Sequence, residues 1–336
     1  MNEEIKDARP AWLGRIKDFE GPVNRSALIQ LVNTVLPYLA GLALMFASRV
    51  LDWPIWVTLI LALPTGAFMV RTFILFHDCC HGSFVSSRKL METLGFVLGV
   101  LVFTPFRDWR RTHWIHHNTV GNLDKRGLGD VWTMTVEEYK ASPASRRFLY
   151  RFYRNPITLF IFGPFFTFIL TNRFPTKGSN AAQHRELIFH NLALFAVAAI
   201  LSLAFGFWNY VLIQGSVIFL GGIVGIWMFY VQHQFDPSYW EHGEGWSFID
   251  AALVGSSWYR LPKVLQWLTG NIGLHHIHHL SPRIPNYRLQ ACLDSIPELR
   301  EKTPLRLARS LRAISLNLWD EKGGGLISFR RLRRLA

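Results

Sequence analysis

Four long apolar runs, at residues 28–47, 56–76, 187–207 and 211–231, alternate with polar stretches along the chain. Each holds about 20 residues, enough for one helix to cross a hydrocarbon layer roughly 30 Å thick. A short turn around Arg49, Asp52 and Pro54 joins the first two, and Trp208, Asn209 and Tyr210 join the last two. Trp53, Trp56, Trp208 and Tyr210 fall where interfacial aromatics belong. The pattern predicts an all-α integral membrane protein with four transmembrane helices in two hairpins. Two shorter runs are ambiguous. Residues 94–103 would reach only about 15 Å as a helix, and residues 156–171 about 24 Å.

The polar stretches carry eight histidines in three clusters: His77 and His81; His113, His116 and His117; His275, His278 and His279. Helical residues three and four apart share a face, so each cluster can aim its imidazoles at one point. Imidazole is a ligand for iron, zinc, copper and nickel, and eight converging ligands suit two ions better than one. His276 points away from its neighbours on the same helical projection. His233, at the end of the fourth run, is placed to join the same centre as a ninth ligand. His184 and His190 are expected at the interface, and His242 in a polar loop. Asp78 and Asp130 are candidates to accept imidazole N–H bonds. Adjacent Cys79 and Cys80 cannot both follow the His77/His81 face and are expected to serve packing.

The clusters also decide the ambiguous runs. If the imidazoles build one site, they share one side of the membrane, so neither short run crosses. Both are then buried, re-entrant or surface-lying segments under a histidine-rich helical cap.

The formal charge of +13 comes from 36 Lys and Arg against 23 Asp and Glu. The positive-inside rule explains it better than a nucleic-acid partner. Residues 106–155 carry Arg107, Arg110, Arg111, Lys125, Arg126, Lys140, Arg146, Arg147, Arg151 and Arg154, whereas the tight turns on the other side offer Arg49. The cap and both termini are therefore expected to be cytoplasmic. The N-terminal stretch MNEEIKDARPAWLGRIKDFEG is polar and mixed in charge, without a signal-peptide core. The Arg-rich C-terminal stretch, with Arg306, Arg309, Arg312, Arg330, Arg331, Arg333 and Arg334 and interspersed Leu, reads equally as a helix on anionic lipid or as a solvated tail. Three cysteines suggest no disulfide framework. No internal repeat or low-complexity linker divides residues 1–336, which read as one domain.

HDCCHGSF, HWIHH and HHIHHLSPRIPNY resemble the three histidine boxes of membrane fatty-acid desaturases, the third being especially similar to bacterial acyl-lipid enzymes. The resemblance spans roughly residues 76–287. It implies a di-iron centre held by His77, His81, His113, His116, His117, His275, His278 and His279, completed by His233. It implies O₂-dependent insertion of a cis double bond into an acyl chain, with a membrane glycerolipid as the carrier and the bacterial inner membrane as the location. Two electrons then come from an external donor such as ferredoxin or flavodoxin, because the sequence shows neither an HPGG haem-binding segment nor a CxxC pair. Three rivals remain: a lipid or carotenoid hydroxylase or ketolase on the same scaffold, a membrane zinc protease with Asp78 in place of its Glu base, and a haem or metal carrier.

Overall fold

The structure, a computed structural model, describes residues 10–335. The first nine residues of the polar N-terminal stretch lie outside them. In chain order the first helices are α1 (Asn24–Val50), α2 (Ile55–His81), α3 (Arg88–Leu101), α4 (Phe106–Thr119), α5 (Val136–Ala141), α6 (Ala144–Tyr153) and the single turn α7 (Gly163–Phe165). There follow α8 (Ala181–Phe205), α9 (Phe207–His233), α10 (Phe248–Leu253), α11 (Lys263–Leu268), α12 (His275–Leu280) and α13 (Asn286–Ser295). Helices α1, α2, α8 and α9 are the four long and apolar enough to cross a membrane. This is the expected pair of hairpins, with each helix extending past its apolar run.

The turn after α1 lies where expected, with Asp52 at φ 52° and the Trp53 N–H donating to the Ser48 carbonyl at 2.9 Å. The second hairpin turns earlier than its aromatics suggested. Gly206, at φ 90°, is the sole residue between α8 and α9. That left-handed backbone suits glycine, and the Asn209 side chain bonds back to the Phe205 carbonyl at 2.9 Å. Trp208, Asn209 and Tyr210 therefore begin α9.

Helices α2 and α9 form the central pair, with α1 against α2 and α8 against α9. The backbones of the central pair nearly touch: a Cβ on Gly66 would stand 3.2 Å from the Gly221 nitrogen, and one on Gly221 would stand 3.1 Å from the Gly66 oxygen. Small residues at a crossing permit this approach in a bilayer. Helix α8 turns its apolar side outward, with Leu203 88% exposed, as lipid contact requires. The chain is an integral membrane protein.

Neither ambiguous run spans. Residues 94–103 lie largely in α3, which meets α4 at a bend of 97°; Phe103, at φ 57°, stands at that corner. The second run becomes two π-helical stretches, Thr158–Phe162 and Phe166–Leu170, on either side of α7. It is bent by 60° from α6. Pro156 and Pro164 withhold backbone donors there, which favours such irregular turns. Both segments return to the histidine end of the bundle. Arg154, before the π-helical run, bonds Gln234 just past α9 at 2.9 Å. After the run, Glu186 near the start of α8 accepts from the Phe106 and Arg107 backbone N–H groups at 3.2 and 3.3 Å.

Two small sheets tie the cap together. In one, β1 (Met134–Thr135) pairs in parallel with β4 (Leu318–Asp320), which pairs antiparallel with β5 (Gly325–Ile327), placing Trp319 opposite Leu326. In the other, β2 (Tyr259–Arg260) runs parallel to β3 (Leu305–Arg306). The Arg-rich C-terminal stretch is not a free tail. Its last part, the helix Phe329–Leu335, docks on the cap through buried Leu332 and through Phe329, whose ring lies 5.6 Å from that of Tyr139.

Candidate metal centre

Four helices deliver nine imidazoles to one place. The last turn of α2 carries His77 and His81, α4 carries His113, His116 and His117, the last residue of α9 is His233, and α12 carries His275, His278 and His279. They divide into two groups. His77, His81, His113, His117 and His278 form one, and His116, His233, His275 and His279 form the other, with ligand-capable atoms within 4.8 Å of one another in each. The i, i+3, i+4 spacing thus acts twice: His113 and His117 face one group and His116 the other. Likewise, α12 divides His278 from His275 and His279.

The ring nitrogens meet through Nε2. In the first group His113 lies 3.0 Å from His77, His117 lies 3.1 Å from His113, and His278 lies 3.0 Å from His117. In the second, His233 stands 3.1 Å from His116 and 3.0 Å from His275, which is 3.0 Å from His279. At a metal–nitrogen bond of about 2.1 Å, ligands at right angles stand about 3.0 Å apart and tetrahedral ones about 3.4 Å. The spacing therefore fits an ion of high coordination number. Five donors in one group also exceed the four of an ordinary zinc site.

Protonation agrees. Burial first, and neighbouring imidazoles second, hold His113, His117, His275, His278 and His279 well below 6.5. They are neutral, the state that binds metals. The outward nitrogens are partly anchored: His77 Nδ1 lies 3.3 Å from an Asp78 oxygen, His116 Nδ1 lies 2.5 Å from Asp130, and His233 Nδ1 lies 3.4 Å from the Gly255 carbonyl. Asp78 and Asp130 thus stand where orienting acceptors were expected. Such acceptors fix ring orientation and raise ligand basicity.

The remaining histidines are elsewhere. His276 turns away, with Nε2 3.2 Å from the Leu299 carbonyl. His184 is exposed, and His242 is exposed with Nδ1 2.8 Å from Asp124. His190, expected at the interface, lies inside the protein. It is fully buried on α8, edge-on to Phe96 with 6.2 Å between ring centres. The fold of α3 back onto α8 covers it, and no sequence period announces that contact. Cys79 and Cys80 are buried outside both groups, consistent with packing.

Two supporting features escaped the sequence reading. Trp109 stacks on His113 at 4.3 Å and 21°, and meets Phe73 edge-on at 5.4 Å; its place one turn before His113 was the available signal. Asn286 donates to Asp78 through its backbone N–H at 2.7 Å and its side chain at 2.8 Å, and pairs with Gln30 of α1. These bonds lock the carboxylate that a zinc protease would need as a free base. A haem plane has no room between imidazoles 3.0 Å apart.

An apolar cavity of about 760 Å³ leads to the centre. His77, His113 and His275 form part of its wall, and Met69, Phe73, Gly225 and Phe229 continue it between α2 and α9. Phe162 and Phe166 of the π-helical segment, 61% and 59% exposed, line its flank toward the lipid side.

Comparison with known proteins decides the family. The fatty acid desaturase family model matches residues 51–309. The chain belongs to the fatty acid desaturase family. A "Fatty acid desaturase" of Bacillus subtilis (strain 168) is 44% identical over 321 residues, covering 96% of this chain and 91% of that one. The "sn-1 oleoyl-lipid 12-desaturase" of Synechocystis is 27% identical over 278 residues, with 81% and 75% covered. The "sn-1 acyl-lipid omega-3 desaturase (ferredoxin)" of Nostoc is 26% identical over 249 residues, with 70% and 66% covered. Desaturation of fatty acyl chains is the activity of this family member, and the comparisons do not favour hydroxylation or ketolation.

Acid should loosen the cap. His276 is pushed by burial to about 3, and the buried box imidazoles also lie below 6.5. Unfolded imidazoles bind protons first, so stability is complete above about pH 6.5 and declines as pH falls below it. Each group contributes up to about 1.4 kcal/mol per pH unit in that window. Thermal unfolding in detergent should show the melting temperature dropping below pH 6.5; a flat profile would contradict buried neutral histidines.

Proposed function

We propose that the chain, folded as a single domain, is an O₂-dependent acyl-lipid desaturase that places a cis double bond in a membrane glycerolipid. The observation that carries this reading is the meeting of two polyhistidine groups with the wall of an apolar cavity. His77, His81, His113, His117 and His278 would hold one iron, and His116, His233, His275 and His279 the other. When bound, the iron pair supplies the O₂ activation needed to take two hydrogens from adjacent carbons. The balance is one acyl –CH₂–CH₂–, O₂, two electrons and two protons in, one –CH=CH– and two waters out.

The protein's part is positional. Asp78 and Asp130 hold His77 and His116 in fixed orientations, with Asn286 holding Asp78 in turn and Gln30 holding Asn286. Trp109, Phe73 and Phe76 pack as an aromatic wall beside His77 and His113, keeping water away. The cavity presents one methylene pair to the centre, because near-attack distances of about 3–3.5 Å admit few carbons at once.

The electrons come from a separate carrier, ferredoxin or flavodoxin. Such carriers are acidic as a class, and the basic stretch around Arg107–Arg154 offers them an attractive surface. The same charges favour a cytoplasmic cap and, with bacterial relatives, a bacterial inner-membrane location.

The test is expression, with a working ferredoxin or flavodoxin system, in a host whose lipids are saturated or monounsaturated. Fatty-acid profiling should reveal a new unsaturated species in the glycerolipid pool. An oxygenated product, or an unchanged profile from iron-loaded protein, would refute the reading.

A further inference from the structure

A second, smaller cavity of about 240 Å³ adjoins the first, and Val131 and Trp132 line both. Its polar wall holds Arg126, Arg146, Thr133 and Glu138. We propose that this pocket is the headgroup site of the substrate, taking the phosphodiester of a glycerophospholipid whose acyl chain lies in the apolar cavity. The inference rests on reading that cavity as the acyl site.

Charge and hydrogen bonding support it. Two arginines, Arg126 and Arg146, line the pocket against one acidic residue, Glu138. Arg126 spends Nη2 on Glu138, while its Nη1 is buried with no hydrogen-bond partner among the described residues. A buried guanidinium nitrogen left without an acceptor is costly, and a phosphate oxygen is the acceptor guanidinium geometry suits best.

The elements around the pocket match an amphiphile rather than a free anion. Helix α6 carries Arg146, Arg147 and Arg151 together with exposed Phe148 (72%), Leu149 and Phe152. Such a helix lies in the membrane interface. Arg146 lines the polar pocket while Leu149, Phe152 and Tyr153 line the acyl cavity. One short helix thus offers cation and hydrocarbon wall in the order that a phospholipid offers phosphate and acyl chain. Acyl-CoA also carries phosphate, but it would come from solvent; the exposed Phe148, Leu149 and Phe152 of α6 suit contact with lipid.

Full-length protein, stripped of lipid in detergent, can be titrated with dioleoylphosphatidylglycerol, dioleoylglycerol and oleoyl-CoA, with binding read by native mass spectrometry. Wild type should prefer the phospholipid to dioleoylglycerol. Arg126→Gln and Arg146→Gln should each weaken phospholipid binding about tenfold and leave dioleoylglycerol binding unchanged, which also shows that each variant is folded. Unchanged phospholipid binding, an equal loss for both dioleoyl lipids, or a loss selective for oleoyl-CoA would overturn the headgroup site. The two levels separate cleanly. Arginine-dependent phospholipid binding by an iron-loaded protein that desaturates no lipid would refute the desaturase reading alone. Desaturation with arginine-independent binding would refute the headgroup site alone.

Discussion

Exchange of His116 for alanine is expected to abolish measurable desaturation and remove one of the two metal ions proposed for the site. His116 is the only residue that α4 gives to the four-histidine group. Its loss leaves His233, His275 and His279, with Asp130 deprived of the imidazole now 2.5 Å away. The five-histidine group has more to spare, so His81→Ala should retain more metal than His116→Ala. Asp130→Asn keeps the shape and removes the charge behind His116; outer partners of this kind typically contribute 10–100-fold in affinity or activity. The expected order of damage is therefore His116→Ala first, with no measurable turnover, then Asp130→Asn at about 10–100-fold. Metal content by mass spectrometry and acyl profiling would rank the variants. Two irons per chain and ordinary turnover in His116→Ala would remove His116 from the site.

The sequence exposes what depends on local periodicity. Apolar runs of membrane length gave α1, α2, α8 and α9, and helical spacing placed each histidine cluster on one face. His233 was legible because it ends an apolar helix with its side chain at the polar boundary. Spacing does not say which imidazole joins which group. That division depends on how α2, α4, α9 and α12 meet, and those elements are separated by many residues. The position of the second hairpin turn depended on one backbone angle at Gly206, against the aromatic signal beside it. Burial of His190 depended on the bend between α3 and α4. Asn286 was visible within the third box, but its grip on Asp78 requires two segments far apart in the chain to touch. The apolar cavity was invisible for the same reason, since its walls come from α2, α9 and the irregular segment between α6 and α8.

That cavity supplies the second large effect. Gly225 of α9 lines it, and a Cβ added there would meet nothing within 4 Å. The residue lies about two helical turns before His233, roughly 12 Å along the axis, so it borders the deeper part of the chain's path. Gly225→Trp would place an indole in that space. Long acyl chains could no longer seat their reacting carbons beside the histidines, and a misplacement of about 1 Å can already reduce turnover about 100-fold. Activity on long-chain lipid should therefore fall by about 100-fold or more, while metal content and melting temperature stay near wild type. Shorter chains that end before Gly225 should be affected least. Gly225→Ala provides the contrast: one methyl fits the open space, and alanine stabilises a helix interior by roughly 0.5–1 kcal/mol relative to glycine. Alanine should keep activity and raise the melting temperature slightly, and tryptophan should act on chain length alone. Wild-type turnover of long chains by a folded, iron-loaded Gly225→Trp enzyme would show that the substrate takes another path.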